Sequence, residues 1–442
     1  MPSQRYAKSA DGTKRGVVYV SWVADRKGLT VPLCLLALIV AAAWLAVRDL
    51  RYALSLVQNA DAEHLIGWDL LPTCHGLAAL AAGKDPYIHS NLAHTPGPAS
   101  WMAYYYPIAA AYPAKLICMA QDLLPGAYVG IYLLILVGSC AALAWSLRLS
   151  NLEVAIVALV SISAFSAYRW LALTGNIAVL EAPLAALSIA ALHRRRYELS
   201  GAAFGLMSTL KVLPLVGVLA FLVIPVGWPQ KARAIAAAVA AFIALHLVNA
   251  AISGSYTVSF VKATLGQIPN QPALFSEPGG LNNPNFIDFV FALLHTFNVD
   301  KATLVSSALA FCGLILGVAI TVLARKTRAM DDYAAVRIFG LATLVCMLLL
   351  FRLKPYAFGT LVPFAIAAIV FPSRILRCIG YLTLSVMPWL CTNAWLAATA
   401  VVRDYYQMIC LTTFIVVALA LQIFSLTRPA PTETRDRPAL AG

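Results

Sequence analysis

Asp69 is the carboxylate in this sequence that is best placed to do chemistry. It follows Gly67 and Trp68 near the start of the first long stretch that is not apolar, and 13 residues separate it from the run Gly-Lys-Asp-Pro-Tyr at 83–87. A carboxylate just outside a membrane span can take a proton from a bound hydroxyl group, as a general base does. Alternatively, Asp69 is the N-cap of a short surface helix over residues 66–82 that Gly83 ends. Spacing alone leaves both interpretations open.

Two cations form a second candidate group. Arg352 and Lys354 flank Leu353 in a short polar turn between apolar runs, at the membrane edge where a lipid phosphate would lie. Fixed cations at that depth can stabilise negative charge developing on a departing phosphate. The alternative is that both side chains extend along apolar surface to bring their charges to water.

Amides and histidines in the longer polar segments form a third group. Asn282 and Asn283 lie in a stretch rich in Asn, Gly and Pro, and their amides can donate to and accept from ligand hydroxyls. The same residue types more often form turns. His64 is the nearest histidine to Asp69 and is a candidate substrate-binding residue, but the histidines of residues 64–94 lack the spacing of metal ligands. We therefore expect no metal and no cofactor.

Composition places these residues in a membrane protein. Of 442 residues, 61% are hydrophobic and 12% charged, and the mean hydropathy is +0.80. These values exclude a soluble globular domain. The net charge of +13 resides in short loops, which is the positive-inside pattern and not a nucleic-acid surface. Among the nine cysteines, Cys74 alone is expected in an outer loop, so no disulfide is expected.

The positive-inside rule predicts an all-α polytopic protein of about ten transmembrane helices. Residues 1–30 form a cytoplasmic tail, 31–426 a single membrane domain whose first span is Val31–Val47, and 427–442 a disordered cytoplasmic tail. Outer loops are expected at 50–103, 168–176, 253–301, 352–355 and 398–405, and the first and third of these are long. Residues 200–224 run between two basic clusters, so they are expected to form a re-entrant hairpin that turns at 211–214. Residues 104–122 are expected to be embedded without necessarily crossing.

Two charged residues fall inside apolar segments. Glu181 and Lys211 are costly there unless they pair or serve a function. They can pair with each other, or they can mark a polar pathway of the kind that a transporter needs.

Several short motifs, taken in order along the chain, resemble glycosyltransferase family 87, polyprenyl-phosphate-sugar-dependent membrane enzymes of the GT-C class. They are the spacing from Asp69 to Gly83 and Pro86-Tyr87, Tyr105-Tyr106-Pro107, Gly175-Asn176, Lys211-Val212-Leu213-Pro214, and Arg352-Leu353-Lys354-Pro355-Tyr356. The family usually has a second proline at Ile108, a glutamine at Asn176 and a proline directly after the lysine at Lys211.

The resemblance implies a GT-C-like fold and a concrete reaction. A sugar, often mannose, would move from a polyprenyl phosphate on the outer face of the cytoplasmic membrane to a glycolipid or polysaccharide acceptor, in one inverting displacement. Asp69 would be the base. Arg352, Lys354 and Lys211 would bind the donor phosphate, and the substrate-binding residues would be His64, Tyr105, Tyr106, Asn176, Asn282, Asn283 and Tyr356. A transporter or flippase, or a polysaccharide polymerase or ligase, stays open as an alternative.

Overall fold

The computed structural model describes residues 27–58, 66–92, 104, 106–211, 213–264, 333–349, 353–393 and 399–427, with isolated positions between 267 and 320. These residues form helices and no β-strand. The α-helices before residue 200 begin with α1 (Lys27–Gln58), α2 (Leu70–Ala81), α3 (Ile108–Ala111), α4 (Ala114–Leu123), α5 (Ala127–Ser146), α6 (Asn151–Ser163), α7 (Ala167–Thr174), α8 (Glu181–His193) and α9 (Tyr197–Leu210). They continue with α10 (Ala220–Val223), α11 (Trp228–Ser253), α12 (Tyr256–Thr264), α13 (Ala334–Leu348), α14 (Phe358–Ala368), α15 (Arg374–Asn393) and α16 (Ala400–Thr427).

Contacts between helix termini define two opposite ends of the bundle. At the arginine end, Arg377 pairs with Glu153 at 2.6 Å and Arg233 with Glu198 at 3.6 Å. At the Asp69 end, the backbone N–H of Asp69 donates to the Thr174 carbonyl at 2.7 Å. The basic segments 194–196, 231–233 and 374–377 all reach the arginine end, which is the grouping that the positive-inside interpretation requires.

Aromatic rings fill the centre of the bundle between four helical segments. The rings of Phe204, Phe221, Phe339 and Phe364 lie with centroids 4.5 to 6.0 Å apart along the cluster. All four side chains are fully buried. Such tilted and edge-on pairs pack the interior at the distances that aromatic quadrupoles favour.

Two glycines bring α9 unusually close to α11. A Cβ at Gly201 would lie 1.9 Å from the carbonyl oxygen of Ala234, and one at Gly205 would lie 2.0 Å from that of Ala238. Glycines four residues apart permit this approach of two helix backbones, as in many membrane helix pairs. The matching order of the contacts shows that α9 and α11 run in the same direction.

Residues 197–223 therefore run out and back between the two ends. Helix α9 ends at Leu210, Lys211 is extended with φ of −139°, and the 3-10 segment Leu213–Leu219 returns along α9. On the way back, a Cβ at Gly217 would meet the Phe204 ring at 2.7 Å. The re-entrant hairpin expected over 200–224, with its turn at 211–214, stays a prediction.

Six described helical segments are long and apolar enough to cross a membrane: Leu33–Gln58, Ala127–Ser146, Asn151–Thr174, Trp228–Ser253, Arg374–Thr392 and Val401–Leu426. Shorter apolar helices are Leu70–Ala81, Ile177–His193, Ala334–Leu348 and Pro355–Ala368. The described residues are thus all-helical, the protein is a multi-pass membrane protein, and the expected number of about ten spans stays a prediction. Residues 104–122 contain two short helices, α3 and most of α4.

Three expected helix boundaries are wrong. Helix α1 continues beyond Val47 to Gln58, because Arg48 and the fully buried Asp49 neutralise each other within the helix through a 2.9 Å hydrogen bond. The outer loop expected at 168–176 is mostly helix α7, which Trp170 fixes by donating to the Tyr406 hydroxyl at 2.6 Å. The loop expected at 398–405 is helical from Ala400.

The expectation of no disulfide is also wrong. Cys74 on α2 and Cys118 on α4 form a disulfide with their Cα atoms 5.5 Å apart. The sequence placed Cys118 in a membrane-embedded segment, whereas α4 packs beside α2 at the Asp69 end. The bond therefore ties the helix that follows Asp69 to the second half of segment 104–122.

Candidate active site

Two chain segments join through their backbones to place Asp69. The N–H of Gly67 donates to the Leu173 carbonyl at 2.9 Å, and that of Asp69 donates to the Thr174 carbonyl at 2.7 Å. Gly175 ends α7 with φ of +69°, and a Cβ there would lie 2.7 Å from the Gly67 Cα. Only glycine combines that conformation with so close an approach. The position of Asp69 is therefore set by main-chain contacts across more than a hundred residues of sequence.

Buried tyrosines hold the other side of this junction. The Tyr132 hydroxyl donates to the Gly175 carbonyl at 2.6 Å, and the Tyr128 hydroxyl donates to the Ala172 carbonyl. The Tyr128 ring would also contact a Cβ at Gly67, which has a positive φ. Helix α5, which carries both tyrosines, thus fixes the C-terminal end of α7.

Asn176 connects Asp69 to the rest of the site. Its Nδ2 donates to Asp69 Oδ2 at 2.9 Å and to the Tyr106 hydroxyl at 2.8 Å. Its Oδ1 accepts the N–H of Ala178 at 2.9 Å. Because a backbone donor occupies Oδ1, the amide can present only its NH2 group to the carboxylate. The sequence-predicted residues Asp69, Tyr106 and Asn176 therefore lie together.

The side chain of Asp69 does not cap the helix that follows it. Asp69 is the N-cap of α2, yet its carboxylate makes no capping hydrogen bond with that helix. The helix itself ends as expected, with Gly83 in a left-handed conformation at φ of +69°. Asp69 is 9% exposed, so the carboxylate lies at the boundary between the interior and the open site. Its orientation toward Asn176 favours the chemical interpretation over the capping one.

Two cations share the site with this carboxylate. Lys211 Nζ lies 3.5 Å from Asn176 Oδ1 and 3.9 Å from the centroid of the Tyr356 ring, a cation–π arrangement. Burial lowers the pKa of Lys354, while the nearby charge of Asp69 raises it and partly offsets the burial. Lys211, Lys354 and Tyr356, all predicted from sequence, are thus brought to the same site as Asp69.

Glu181 is the first residue of α8 and lies near Lys211. It is 1% exposed, and its Oε2 accepts a hydrogen bond from Thr360 Oγ1 on α14 at 2.5 Å. Its carboxylate also interacts electrostatically with Lys211. Glu181 and Lys211 are therefore neighbouring opposite charges, and the hydrogen bond to Glu181 comes from Thr360.

The Pro-Tyr turn supports the site without entering it. The buried Tyr87 donates through its hydroxyl to the Tyr106 carbonyl at 3.1 Å. Asp85 accepts the Tyr87 N–H at 2.9 Å, so its carboxylate closes the local turn. Tyr104 packs between Tyr87 and Tyr106, with ring centroids 5.4 and 6.2 Å away. These contacts hold Tyr106 against Asn176.

Other predicted site residues lie outside the described residues, namely His64, Tyr105, Asn282, Asn283 and Arg352. Sequence reasoning missed Gly67, Thr174 and Tyr132, which carry no reactive group but build the junction. A glycine permits a close backbone approach, but the sequence does not indicate that Gly67 and Gly175 meet each other. Within the described part of the chain, no three His, Cys, Asp or Glu side chains converge on a metal-sized site.

The helices and this polar site define a multi-pass membrane protein with a carboxylate, an amide and two lysines gathered at one end of the bundle. The family model of glycosyltransferase family 87 matches residues 104–352, more than half of the chain. The chain belongs to glycosyltransferase family 87, and it is a membrane glycosyltransferase. A comparison with curated proteins finds no match. Tyr106, Asn176 and Lys211 lie within the matched range, whereas Asp69 precedes it and is joined to it through Asn176.

Proposed function

We propose that this glycosyltransferase moves a sugar, with mannose the expected one, from a polyprenyl phosphate to a hydroxyl of a glycolipid or polysaccharide acceptor. The observation that carries the proposal is one site holding a carboxylate next to two lysines. The Asp69 carboxylate accepts a hydrogen bond from Asn176 at 2.9 Å, and Lys354 is close enough that the charge of Asp69 raises its pKa against the larger effect of burial. A base and a phosphate-binding cation are what this transfer requires.

The proposed reaction is a single displacement. The acceptor oxygen attacks the anomeric carbon, its proton passes to an Asp69 oxygen, and the bond from that carbon to the phosphate oxygen breaks. The bonding electrons leave with the polyprenyl phosphate, which needs no proton to depart. One carboxylate therefore suffices, whereas glycoside hydrolases use two. Attack opposite to the leaving group inverts the anomeric configuration.

Lys354 and Lys211 stabilise the phosphate in this scheme, together with Arg352. Lys211 is oriented by the Tyr356 ring at 3.9 Å and by the nearby Asn176 Oδ1 at 3.5 Å, so its ammonium is held before the donor arrives. Preorganised charges of this kind stabilise a developing anion without reorganisation cost. Removing one of these contacts is expected to raise the barrier by about 2 to 4 kcal/mol.

The disulfide supports an outer-face location for the site. Cys74 lies five residues after Asp69 on the same short segment, and its bond to Cys118 is at the Asp69 end. Disulfides form and persist in oxidising compartments and are rare where thioredoxin and glutathione keep thiols reduced. The grouping of basic segments at the opposite end agrees, because such clusters face the cytoplasm. We infer a cytoplasmic-membrane enzyme with its N-terminus inside and Asp69 outside.

The test is transfer by the purified protein in proteoliposomes. Radiolabelled polyprenyl-phosphate mannose is supplied with a lipid extract as acceptor source, and label is followed into products that survive mild acid, which cleaves the donor. Transfer that depends on the intact protein supports the proposal, and polyprenyl-phosphate glucose serves as a control for sugar choice. Label that crosses the bilayer still attached to the donor would instead support a flippase. Transfer from a nucleotide sugar alone would contradict the donor assignment.

A further inference from the structure

Glu181 is a buried carboxylate that the proposed transfer does not use. It begins α8 and is 1% exposed, so it is closed to an acceptor hydroxyl in this structure. Burying a charge is costly unless a partner of opposite sign or a function compensates for the lost water. A carboxylate in this place therefore needs such a partner or a role in the site.

Thr360 on α14 fixes one oxygen of this carboxylate. Its Oγ1 donates to Glu181 Oε2 at 2.5 Å, and Thr360 is itself buried. The other oxygen, Oε1, accepts no hydrogen bond from the residues that the structure describes. A link between α8 and α14 alone would need no charge, because the amide oxygen of a glutamine also accepts from a hydroxyl. The charge of Glu181 therefore points to a use beyond joining the two helices.

Lys211 is the cation near this charge. Glu181 interacts electrostatically with Lys211, the residue that follows α9. The Lys211 ammonium also has two neutral neighbours, Asn176 Oδ1 at 3.5 Å and the Tyr356 ring, whose centroid is 3.9 Å away. Contacts between two charged groups are stronger than contacts of a charge with a neutral group. Glu181 therefore adds a full opposite charge to two weaker contacts.

Each of the two lysines in the site thus has a carboxylate nearby. The charge of Asp69 acts on Lys354, and that of Glu181 acts on Lys211. In the proposed reaction Asp69 becomes neutral when it takes the acceptor proton, whereas Glu181 takes no part in that step. A buried ion pair contributes little net stability, because the loss of water offsets the attraction. Stability alone therefore does not account for the pair of Glu181 and Lys211.

We propose that Glu181, fixed by Thr360, is a positioning residue that holds the Lys211 ammonium where the donor phosphate binds; this rests on the proposed function, in which Lys211 contacts that phosphate. Thr360 holds Glu181 and Glu181 holds Lys211, so α14 determines where the ammonium lies. A charge that is held before the donor arrives stabilises the leaving phosphate without reorganisation. Without Glu181, the flexible lysine side chain would extend toward water.

The first measurement is a double-mutant cycle on sugar transfer from polyprenyl-phosphate mannose, with kcat and KM determined separately and thermal unfolding followed in parallel. Glu181→Gln keeps an acceptor for Thr360 and removes the charge, so kcat should fall about tenfold to a hundredfold, as misplaced groups cause. Lys211→Met should lower kcat at least as far. Adding Glu181→Gln to Lys211→Met should lower it by less than about a further twofold, because the two residues act as one unit.

The second measurement detects the state of Lys211 directly and needs no donor. An amine-reactive reagent modifies a lysine only when the amine is deprotonated, and a nearby carboxylate favours the protonated form. Glu181→Gln should therefore speed the modification of Lys211 by about tenfold. Peptide mass spectrometry measures this rate relative to that of the exposed Lys84. Thr360→Val keeps the charge but releases the carboxylate, so it should change kcat and the modification rate in the same directions by smaller factors.

Glu153→Gln is the matched control. Glu153 is also a buried carboxylate, held by Arg377 at 2.6 Å, but it lies at the arginine end of the bundle. The control should lower the unfolding temperature and change neither kcat nor the modification of Lys211.

A fall in kcat that disappears in the Lys211→Met background, together with faster modification of Lys211, supports the proposal. Unchanged kcat or unchanged Lys211 modification in both Glu181→Gln and Thr360→Val overturns it, and so do losses that multiply in the cycle. If the wild type transfers no sugar from polyprenyl-phosphate mannose, the proposed function fails. The modification rates then still decide whether Glu181 holds Lys211.

Discussion

The attractive contact between Asn176 and Asp69 becomes repulsive when the Asn176 NH2 group is replaced by an oxygen. Asn176→Asp keeps the shape of the side chain and the oxygen that accepts the Ala178 N–H at 2.9 Å. Asp caps such a turn as well as Asn does, so the local backbone should be kept. The substitution replaces the NH2 donor, which lies 2.9 Å from Asp69 Oδ2, with a second carboxylate oxygen.

The size of the effect follows from that distance. Two carboxylates 2.9 Å apart repel by about 6 kcal/mol at an effective dielectric constant of about 20. Asp69 is 9% and Asn176 1% exposed, so water screens the pair weakly. The pair therefore holds a shared proton at neutral pH. A carboxylate whose proton is already in place cannot take the acceptor's, and transfer should fall by about a hundredfold or more.

The assay is the initial rate of sugar transfer, measured against pH, with thermal unfolding followed in parallel. Activity of Asn176→Asp should partly recover as pH rises, because the shared proton is then lost. Asn91→Asp is the matched control, since Asn91 Nδ2 also donates at 3.0 Å but its partner is the backbone carbonyl of Asp85. Wild-type activity of Asn176→Asp at neutral pH would refute the reasoning. So would an equal loss in Asn91→Asp.

Three further predictions test the cation, the disulfide and the orientation. Because burial lowers the pKa of Lys354 below its ordinary 10.5, kcat/KM for the donor should fall as pH rises through that lowered pKa. Lys354→Arg, which stays protonated, should move the fall to higher pH, and an unmoved profile would exclude Lys354 as its source. The double variant Cys74→Ser/Cys118→Ser should lose about 4 kcal/mol of stability, estimated from the sequence separation of 44, and reductant should destabilise the wild type but not this variant. In a background without reactive native thiols, Ser90→Cys should react with an impermeant reagent from outside and Ser373→Cys should not; the reverse pattern would invert the proposed orientation.

Much of the site could be predicted because its polar residues stand out in an apolar chain. Asp69, Asn176, Lys211 and Lys354 each interrupt apolar sequence, and a charge or amide there needs a partner or a function. Their order along the chain also matched that of a known family. Hydropathy therefore indicated the membrane class, and rare polar residues indicated the site.

The junction that brings these residues together could not be predicted. The contact of Gly67 with Gly175 depends on a tertiary approach of two backbones, and a single sequence carries no signal of which glycines meet. The Cys74–Cys118 bond was missed for a related reason, since hydropathy cannot distinguish a membrane-embedded helix from an apolar helix packed at the bundle end. Helix α1 extends past the expected end of the first span at Val47, because Arg48 and Asp49, two charges in the sequence, form one hydrogen-bonded pair within the helix.

The central claim is that Asp69 takes the acceptor proton, and Asp69→Asn tests it most directly. The amide keeps an oxygen for the Asn176 donor, so folding should be preserved, but it cannot accept a proton at useful pH. Asp85→Asn is the matched control, because the Asp85 carboxylate binds the Tyr87 N–H and an amide oxygen can do the same. We predict that transfer by Asp69→Asn falls by about a hundredfold or more with unchanged unfolding temperature and donor binding. Near-wild-type transfer by Asp69→Asn, with activity lost instead in Asp85→Asn, would contradict the account.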